Sequence, residues 1–290
     1  MKLNLEKFGN VRENISFKTM STYRIGGNAR YVLEPQSLDD LIKAIDYLRS
    51  EHIPFKVLGM GSNILFSDED YQGVVVRLQH ALNKMEFNEN HLFVEAGVSL
   101  IKCAHLAVEK GLGDLEFASG IPGSVGGALY MNAGAYQKTM YDCVNRVLIY
   151  QDKALKWLNR EEIKVDYRYS SFMDDKEILI CGAELNLHPC DIQNSKAIIQ
   201  DRLKRRLDSQ PLDLPSCGSV FRNPYPNLSW QLIESVGLRG HIIGDAQISL
   251  KHANFIVNLG QAKAQDVVDL IHLIETEVYK KHGIQLKREV

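Results

Sequence analysis

Apolar positions in the first half of the chain switch repeatedly between a period of two and a period near 3.6, the pattern of strands separated by amphipathic helices. Tyr31-Val32-Leu33 predicts a short strand. Ser37 then stands as an N-cap with Asp40 completing a capping box, and Leu38, Leu41, Ile42, Ile45 and Leu48 form one apolar stripe behind it. Pro54 to Leu58 predicts a strand that runs directly into Gly59-Met60-Gly61-Ser62-Asn63. Val74-Val75-Val76 and Leu92-Phe93-Val94 predict two more. Ser99 opens a second helix with Leu100, Cys103, Ala104, Ala107 and Val108 on its apolar face, and Gly111 and Gly113 end it.

The second half continues as mixed α and β. Val147 to Tyr150 and Ile178 to Cys181 read as strands, followed by a polar helix from about Asp191 to Leu207. Pro211, Pro215 and Gly218 break the pattern, and a module boundary is expected near Pro189. A short helix (Trp230 to Val236), a glycine turn and the strand Phe255-Ile256-Val257 precede a long helix from Gln265 to His282. Its stripe is Val267, Val268, Leu270, Ile271, Ile274 and Val278. Gly283 ends that helix, and Ile284-Gln285-Leu286 is expected to be a strand. No internal repeat or low-complexity linker is visible.

Composition narrows the function classes. With 290 residues, 45% of them hydrophobic, the chain is long enough for two or three modules with cores of their own. A formal net charge of -2 provides no field to hold nucleic acid or an anionic membrane. The run Arg202-Leu203-Lys204-Arg205-Arg206 reads as a solvated helix face. Cys103, Cys143, Cys181, Cys190 and Cys217 are odd in number and lack metal-ligand spacing, so reduced thiols in a cytoplasmic protein are expected, and no metal. Met1 to Lys7 lacks the apolar stretch of a signal peptide, and no apolar run approaches the roughly 20 residues of a membrane span. A cytoplasmic monomer with a small-molecule substrate is the expectation.

The candidate chemistry is concentrated in glycine-rich turns. Ser119-Gly120-Ile121-Pro122-Gly123-Ser124-Val125-Gly126-Gly127-Ala128 leads into Met131-Asn132-Ala133-Gly134-Ala135-Tyr136. A packed core has no need of so many glycines, each of which adds to the entropy lost on folding. A bound anion does, because bare N–H groups then come within reach of phosphate oxygens. The second turn, Gly59-Met60-Gly61-Ser62-Asn63-Ile64-Leu65, lacks the third glycine of the dinucleotide fingerprint, and no P-loop lysine pattern is present. Two separate nests suit one extended dinucleotide held by its pyrophosphate. The competing reading of either turn alone is a tight connection within a sheet.

These two turns, with Tyr23-Arg24-Ile25-Gly26-Gly27-Asn28-Ala29, resemble the bacterial UDP-N-acetylenolpyruvoylglucosamine reductases over nearly the whole chain, and most closely their shorter branch. The resemblance implies an α+β chain with a flavin-binding fold of the vanillyl-alcohol-oxidase (PCMH) type. It implies FAD-binding subdomains at 1–72 and 73–189, a C-terminal α+β substrate domain at 190–283, and a tail, 284–290, joined to the first subdomain. It implies FAD, held noncovalently since neither turn contains a His or Cys, and NADPH as co-substrate. The implied cofactor contacts are Gly59, Met60, Gly61, Ser62, Asn63 and Ile64 on one turn. On the other they are Ser119 to Ser124, Gly126, Gly127, Asn132, Gly134 and Ala135. The chain departs from the family at Gln137, where glycine is usual, and at Lys287-Arg288, where Glu-Pro is usual.

Three further segments resemble the family's polar motifs: Tyr167-Arg168-Tyr169-Ser170-Ser171-Phe172, Cys217-Gly218-Ser219-Val220-Phe221-Arg222-Asn223-Pro224, and Gly283 through Glu289-Val290. The implied substrate is a UDP-sugar whose enol ether is conjugated to a carboxylate, a poor activator because its charge opposes hydride arrival. Arg168 is the implied cation for the charge that builds on the carboxylate. Ser219 is the implied proton donor after hydride leaves N5 of the reduced flavin, in a setting to which Arg222 contributes. Glu289 helps if protonated, or by orienting Arg168 or a water. Tyr167, Asn223, His252 and Asn254 are the implied substrate contacts, with Arg206 a further candidate. His252 reads equally as an internally satisfied histidine, and Cys217 as a packing residue. Two rivals are an FAD-dependent sugar or hydroxy-acid oxidase or dehydrogenase, and a noncatalytic nucleotide-binding module.

Overall fold

Ser37 begins the first helix as expected: its hydroxyl accepts from the Asp40 N–H at 3.1 Å and donates to the Asp40 carboxylate at 2.7 Å. Helix α1 (Leu38–Ser50) buries Leu41, Ile45 and Leu48 of the stripe read from the sequence, together with Ala44, while Leu38 and Ile42 stay half-buried. The computed structural model describes residues 4–290, so Met1, Lys2 and Leu3 of the N-terminal stretch lie outside the described residues.

The chain divides into two compact units. Unit one contains the N-terminal segment through Glu13, Tyr31–Met60 and Gln72–Leu203; unit two contains Asn14–Arg30, Gly61–Tyr71 and Lys204–Val290. Strands β1 (Asn10–Ser16), β2 (Asn28–Glu34), β3 (Phe55–Leu58) and β4 (Tyr71–Arg77) form a sheet in the order β1-β2-β4-β3. The β3–β4 pair is parallel, matching Phe55 with Val74 and Leu58 with Arg77. The chain leaves unit one within β1 and re-enters it within β2.

Unit one continues through β5 (Met85–Asn88), β6 (His91–Glu95) and α2 (Leu100–Glu109), which buries the five apolar residues expected of it. Next come α3 (Val125–Met131) and the hairpin β7 (Gly134–Ala135) and β8 (Lys138–Thr139). Strands β9 (Val144–Gln151) and β10 (Ala154–Asn159) follow, then the hairpin β11 (Val165–Asp166) and β12 (Tyr169–Ser170), and β13 (Leu179–Asn186). Five of these strands form an antiparallel sheet in the order β10-β9-β13-β6-β5. Leu92, Val94, Val147, Ile149, Ala183 and Leu185 from that sheet join α1 and α2 residues in one core.

Helix α4 (Ile192–Ser209) leads into unit two, which holds α5 (Ser229–Ser235), the antiparallel strands β14 (Ile242–Ile243), β15 (Ala246–Ile248) and β16 (Ile256–Asn258), and α6 (Ala264–His282). Its core joins Val267, Leu270, Ile271, Ile274 and Val278 of α6 to Ile233, Ile248 and Ile256. Gly283 caps α6 in the left-handed region at φ +66°, where the sequence placed its end.

Three boundary expectations change. Pro189 is not a unit boundary, because Gly113 N–H donates to His188 O and Cys190 N–H to Gly111 O, each at 2.8 Å, holding both sides of it in unit one. The division falls between Leu203 and Lys204, inside α4. Ile284-Gln285-Leu286 form no strand; the tail pairs further on, through a bridge between Arg288 and Phe221. The two units do not follow the segments expected at 1–72, 73–189 and 190–283, and the tail belongs to unit two along with Asn14–Arg30 and Gly61–Tyr71.

Candidate active site

Within unit one the two glycine turns touch. A Cβ added to Gly59 would lie 2.4 Å from Ser124 Oγ, so only glycine allows this approach. Gln79 Nε2 donates to Gly59 O at 2.9 Å and fixes the first turn. Among the described residues, the N–H groups of Gly59, Met60, Gly120, Gly123 and Ser124 have no protein acceptor. A cradle too narrow for a side chain and lined with uncommitted donors fits a pyrophosphate, and hence the implied dinucleotide.

Other members of the long run serve the fold instead. Ser119 Oγ donates to Glu116 O at 2.8 Å and Ile121 N–H to Ala118 O at 3.0 Å. Gly126 N–H donates to Ala96 O at 2.8 Å, and a Cβ there would lie 2.8 Å from Ala96 Cβ. Gly126 is therefore a packing glycine that lets α3 approach the end of β6. Ser124 is the N-cap of α3, its Oγ accepting from Gly127 N–H at 3.2 Å. Expected as cofactor donors, the amides of Ser119, Ile121, Gly126 and Gly127 are committed within the chain.

Asn132 ends α3 in the left-handed region at φ +45°. It is buried, and its Nδ2 donates to Asp166 O at 2.9 Å rather than standing open to a ligand. Gly134 and Ala135 form β7, paired with Thr139 and Lys138, so their backbone lies in a hairpin. The turn of that hairpin places Tyr136 at φ +54° and Gln137 at φ +63°, so Gln137 adopts the conformation a glycine would favour. Arg202 of α4 lies 4.6 Å over the Tyr136 ring and accepts at its carbonyl from Tyr136 Oη at 3.3 Å.

Arg168 occupies the second position of the β11–β12 turn at φ +55°, an uncommon region for a residue with a Cβ. Its Nη2 donates to Gly134 O at 2.6 Å, and its guanidinium lies 5.0 Å from the ring of exposed Tyr167. The arginine turn therefore leans on the segment that follows the cradle. Ser170, fully buried, donates from Oγ to Tyr130 O at 2.7 Å and fastens β12 to α3.

Unit two holds the other two motifs together. The segment Ser219 to Arg222 is flanked on one side by Phe255, bridged to Ser219, and on the other by Arg288, bridged to Phe221. Glu289 N–H donates to Val220 O at 2.8 Å and Arg222 N–H to Lys287 O at 2.9 Å. Asn63 Nδ2 donates to Glu289 O at 2.9 Å. Sequence-distant Ser219, Glu289 and Asn63 thus share one neighbourhood, while Arg168 belongs to the other unit. The departure at Arg288 has a local reason, since its guanidinium grips both oxygens of Glu275 on α6 at 2.6 and 2.7 Å. Ser219 Oγ makes no hydrogen bond among the described residues.

Several expected contacts have other duties. Asn63 and Ile64 face inward to unit two: the first holds Glu289, and Ile64 O accepts from Cys217 Sγ at 3.1 Å. Burial pushes the Cys217 thiol up, so it is a packing residue and no thiolate nucleophile. Gly61 at φ +65° leaves no room for a Cβ, which would fall 2.1 Å from Met20 O. Asn254 is buried; it accepts from Phe221 N–H at 3.0 Å and donates to Phe221 O at 2.8 Å. Both ends of its amide hold the Ser219 segment, so it orients that segment instead of meeting substrate. Asn223 is exposed and accepts from Ser229 N–H at 3.0 Å at the start of α5. His252 Nδ1 accepts from Asn254 N–H at 3.3 Å, and burial lowers its pKa, as for an internally satisfied histidine. No group of three metal-ligating side chains exists among the described residues, and no helix there is long and apolar enough to cross a membrane. The sequence reading missed Gln79 and Ser170, whose signals are only a polar residue after a strand and the first of two serines in a motif.

Comparison with known proteins gives the class first. Residues 29–153 match the FAD binding domain, consistent with an α+β flavoprotein, and residues 210–290 match the family described as UDP-N-acetylenolpyruvoylglucosamine reductase, C-terminal domain. The chain is 39% identical over 283 residues to the UDP-N-acetylenolpyruvoylglucosamine reductase of Anoxybacillus flavithermus, covering 97% of this chain and 94% of that one. It is 41% identical over 271 residues to that of Thermotoga maritima, covering 93% and 94%. The crystal structure of UDP-N-acetylenolpyruvylglucosamine reductase from Thermus caldophilus superposes with a TM-score of 0.81 at 32% identity, covering 97% of this chain and 98% of that one. The chain belongs to the UDP-N-acetylenolpyruvoylglucosamine reductase family.

Proposed function

We propose that this chain reduces UDP-N-acetylglucosamine enolpyruvate to UDP-N-acetylmuramate, a step of peptidoglycan precursor synthesis, at the expense of NADPH and one proton. The observation that carries the reading is the presence of both family segments, 29–153 and 210–290, in one chain that spans 94% of its relatives' length. When bound, FAD supplies the two-electron relay that accepts hydride from NADPH and delivers it to the terminal alkene carbon.

The chain's own residues do the rest. The uncommitted amides of Gly59, Gly120, Gly123 and Ser124 hold the dinucleotide pyrophosphate noncovalently. Arg168 offers a fixed cation to the substrate carboxylate, whose oxygens gain charge as the alkene is reduced. Ser219 Oγ, with no protein partner of its own, donates a proton to the carbon that bears the carboxylate. Glu289 is held next to the Ser219 segment by Asn63 and Val220, where it orients a donor or a water. Tyr167, exposed beside Arg168, is the remaining substrate contact in this reading. The protein acts in the cytoplasm as a monomer.

The test separates the two half-reactions. Ser219→Ala is expected to leave flavin reduction by NADPH nearly intact and to slow reoxidation by the enolpyruvyl nucleotide by about 10²-fold or more, the range of a lost acid–base group. Stopped-flow absorbance measures both, and equal loss in each removes the proton-donor role. An oxidase would consume NADPH without the nucleotide, and a binding module would consume none, so NADPH oxidation with and without it decides between these and the reductase.

A further inference from the structure

The Tyr167–Arg168 turn is an unlikely place to fix a cation by local structure alone. Its hairpin has only two paired residues on each side, and such a unit has little stability of its own. Arg168 itself is held at φ +55°, so the turn persists only because its surroundings over-determine it. Besides the bond from Arg168 itself to Gly134 O, two side chains tie the hairpin to α3. Asn132 Nδ2 donates to Asp166 O at 2.9 Å, just before the turn, and Ser170 Oγ donates to Tyr130 O at 2.7 Å, just after it.

Both bonds reach the same place, the C-terminal end of α3. Tyr130 offers one of the carbonyls that a helix end leaves without an intrahelical partner. Asn132 is more than a cap. Glycine would meet the left-handed position at φ +45° without burying a carboxamide, whereas Asn132 leaves its Oδ1 buried with no partner among the described residues. That burial is compensated by what Nδ2 does, which is to hold the hairpin. The other end of α3 begins at Ser124, the residue that closes against Gly59 in the cradle.

We infer that Asn132 and Ser170 are positioning residues for Arg168, pinning the arginine turn to the helix whose N-cap belongs to the pyrophosphate cradle. The guanidinium is thereby placed in register with the bound dinucleotide. The inference rests on the reading of Arg168 as the cation for the substrate carboxylate. Neither side chain touches the reacting atoms in this account; each acts through the backbone of the turn.

The experiment is a double-mutant cycle on the flavin-loaded protein. Ser170→Ala and Asn132→Gly, the second keeping the left-handed cap while removing the donor, are each expected to slow reoxidation at saturating enolpyruvyl nucleotide by about 10-fold to 10²-fold, the scale of an ångström of misplacement. Reduction by NADPH changes less than about twofold, since the turn is not part of the cradle. In an Arg168→Lys background the same substitutions are expected to add less than about twofold, because the geometry they protect is already lost. Hydrogen exchange of residues 166–170 quickens by about 10-fold in both variants, while α1 is unchanged. Full additivity with Arg168→Lys, or unaltered reoxidation in both single variants, overturns the inference. Unaltered reoxidation in Arg168→Lys itself overturns the role of the arginine, and is distinguished by exchange that still quickens at 166–170.

Discussion

Residues at positive φ carry much of this molecule's character. Arg168, Asn132, Tyr136 and Gln137 lie close in the chain's course around α3 and its two hairpins, and none is glycine. The glycine run announces the cradle, but nothing at Arg168 announces a left-handed turn, because that conformation follows from contacts of its hairpin with Gly134, Asn132 and Tyr130. Gln137 is the plainest case. A side chain in this region costs about 1 kcal/mol relative to glycine, and its Cβ gains nothing that offsets this in an exposed turn. Gln137→Gly is therefore expected to stabilise the protein by about 0.5–1 kcal/mol, less the entropy glycine adds to the unfolded chain, measured by urea unfolding. His252 yields a pH prediction. Burial holds its pKa below the ordinary value, so the folded state prefers the neutral ring. The associated stability is present above the unfolded value of about 6.5 and is lost as pH falls below it through the lowered folded value. His252→Asn should flatten the decline in melting temperature between pH 7 and 5, and an unchanged slope would dismiss the residue as its source.

At the scale of elements, long amphipathic helices were legible and short or irregular pieces were not. The stripes of α1, α2 and α6 fall on buried positions except at Leu38, Ile42 and Val268, which are half-buried, because burial of the stripe is what stabilises each helix. Helix α3 leaves no helical signal in the sequence because two glycines in its first turn oppose helix formation and its seven residues are too few for a stripe. The tail carries a strand-like alternation at Ile284 and Leu286, yet Leu286 is buried in the unit-two core and pairing starts only at Lys287. The N-terminus of α6 shows the same dependence on distant chain. Lys263 has no capping oxygen; Asp68 instead accepts from Ala264 N–H at 2.8 Å and Gln265 N–H at 3.2 Å. Asp68→Ala is expected to destabilise unit two by about 1 kcal/mol, with Asp68→Asn, which keeps an acceptor, recovering part of it in the same unfolding measurement.

At the scale of the whole molecule the cofactor and the fold are linked by mass action. FAD binds the folded chain, so flavin at 100 times its Kd should stabilise stripped protein by about 2.7 kcal/mol, seen as a rise in melting temperature. Gly59→Val removes that rise and also lowers the flavin-free melting temperature, because a side chain there falls on Ser124 Oγ, the N-cap oxygen of α3. A full rise in the variant would place the pyrophosphate elsewhere. By itself the sequence determined the α+β class, the long helices, the glycine turns and the family, since each is written in local spacing or in contiguous motifs. Only the tertiary structure decided which amides of the glycine run are open, that Asn63 and Asn254 serve the Ser219 segment, and where the chain divides into units. Those outcomes depend on hydrogen bonds between residues far apart in sequence, such as Asn63 with Glu289 and Asn254 with Phe221. No periodicity encodes such pairings, because the free energy of committing a donor is set by whichever acceptor the folded chain brings to it.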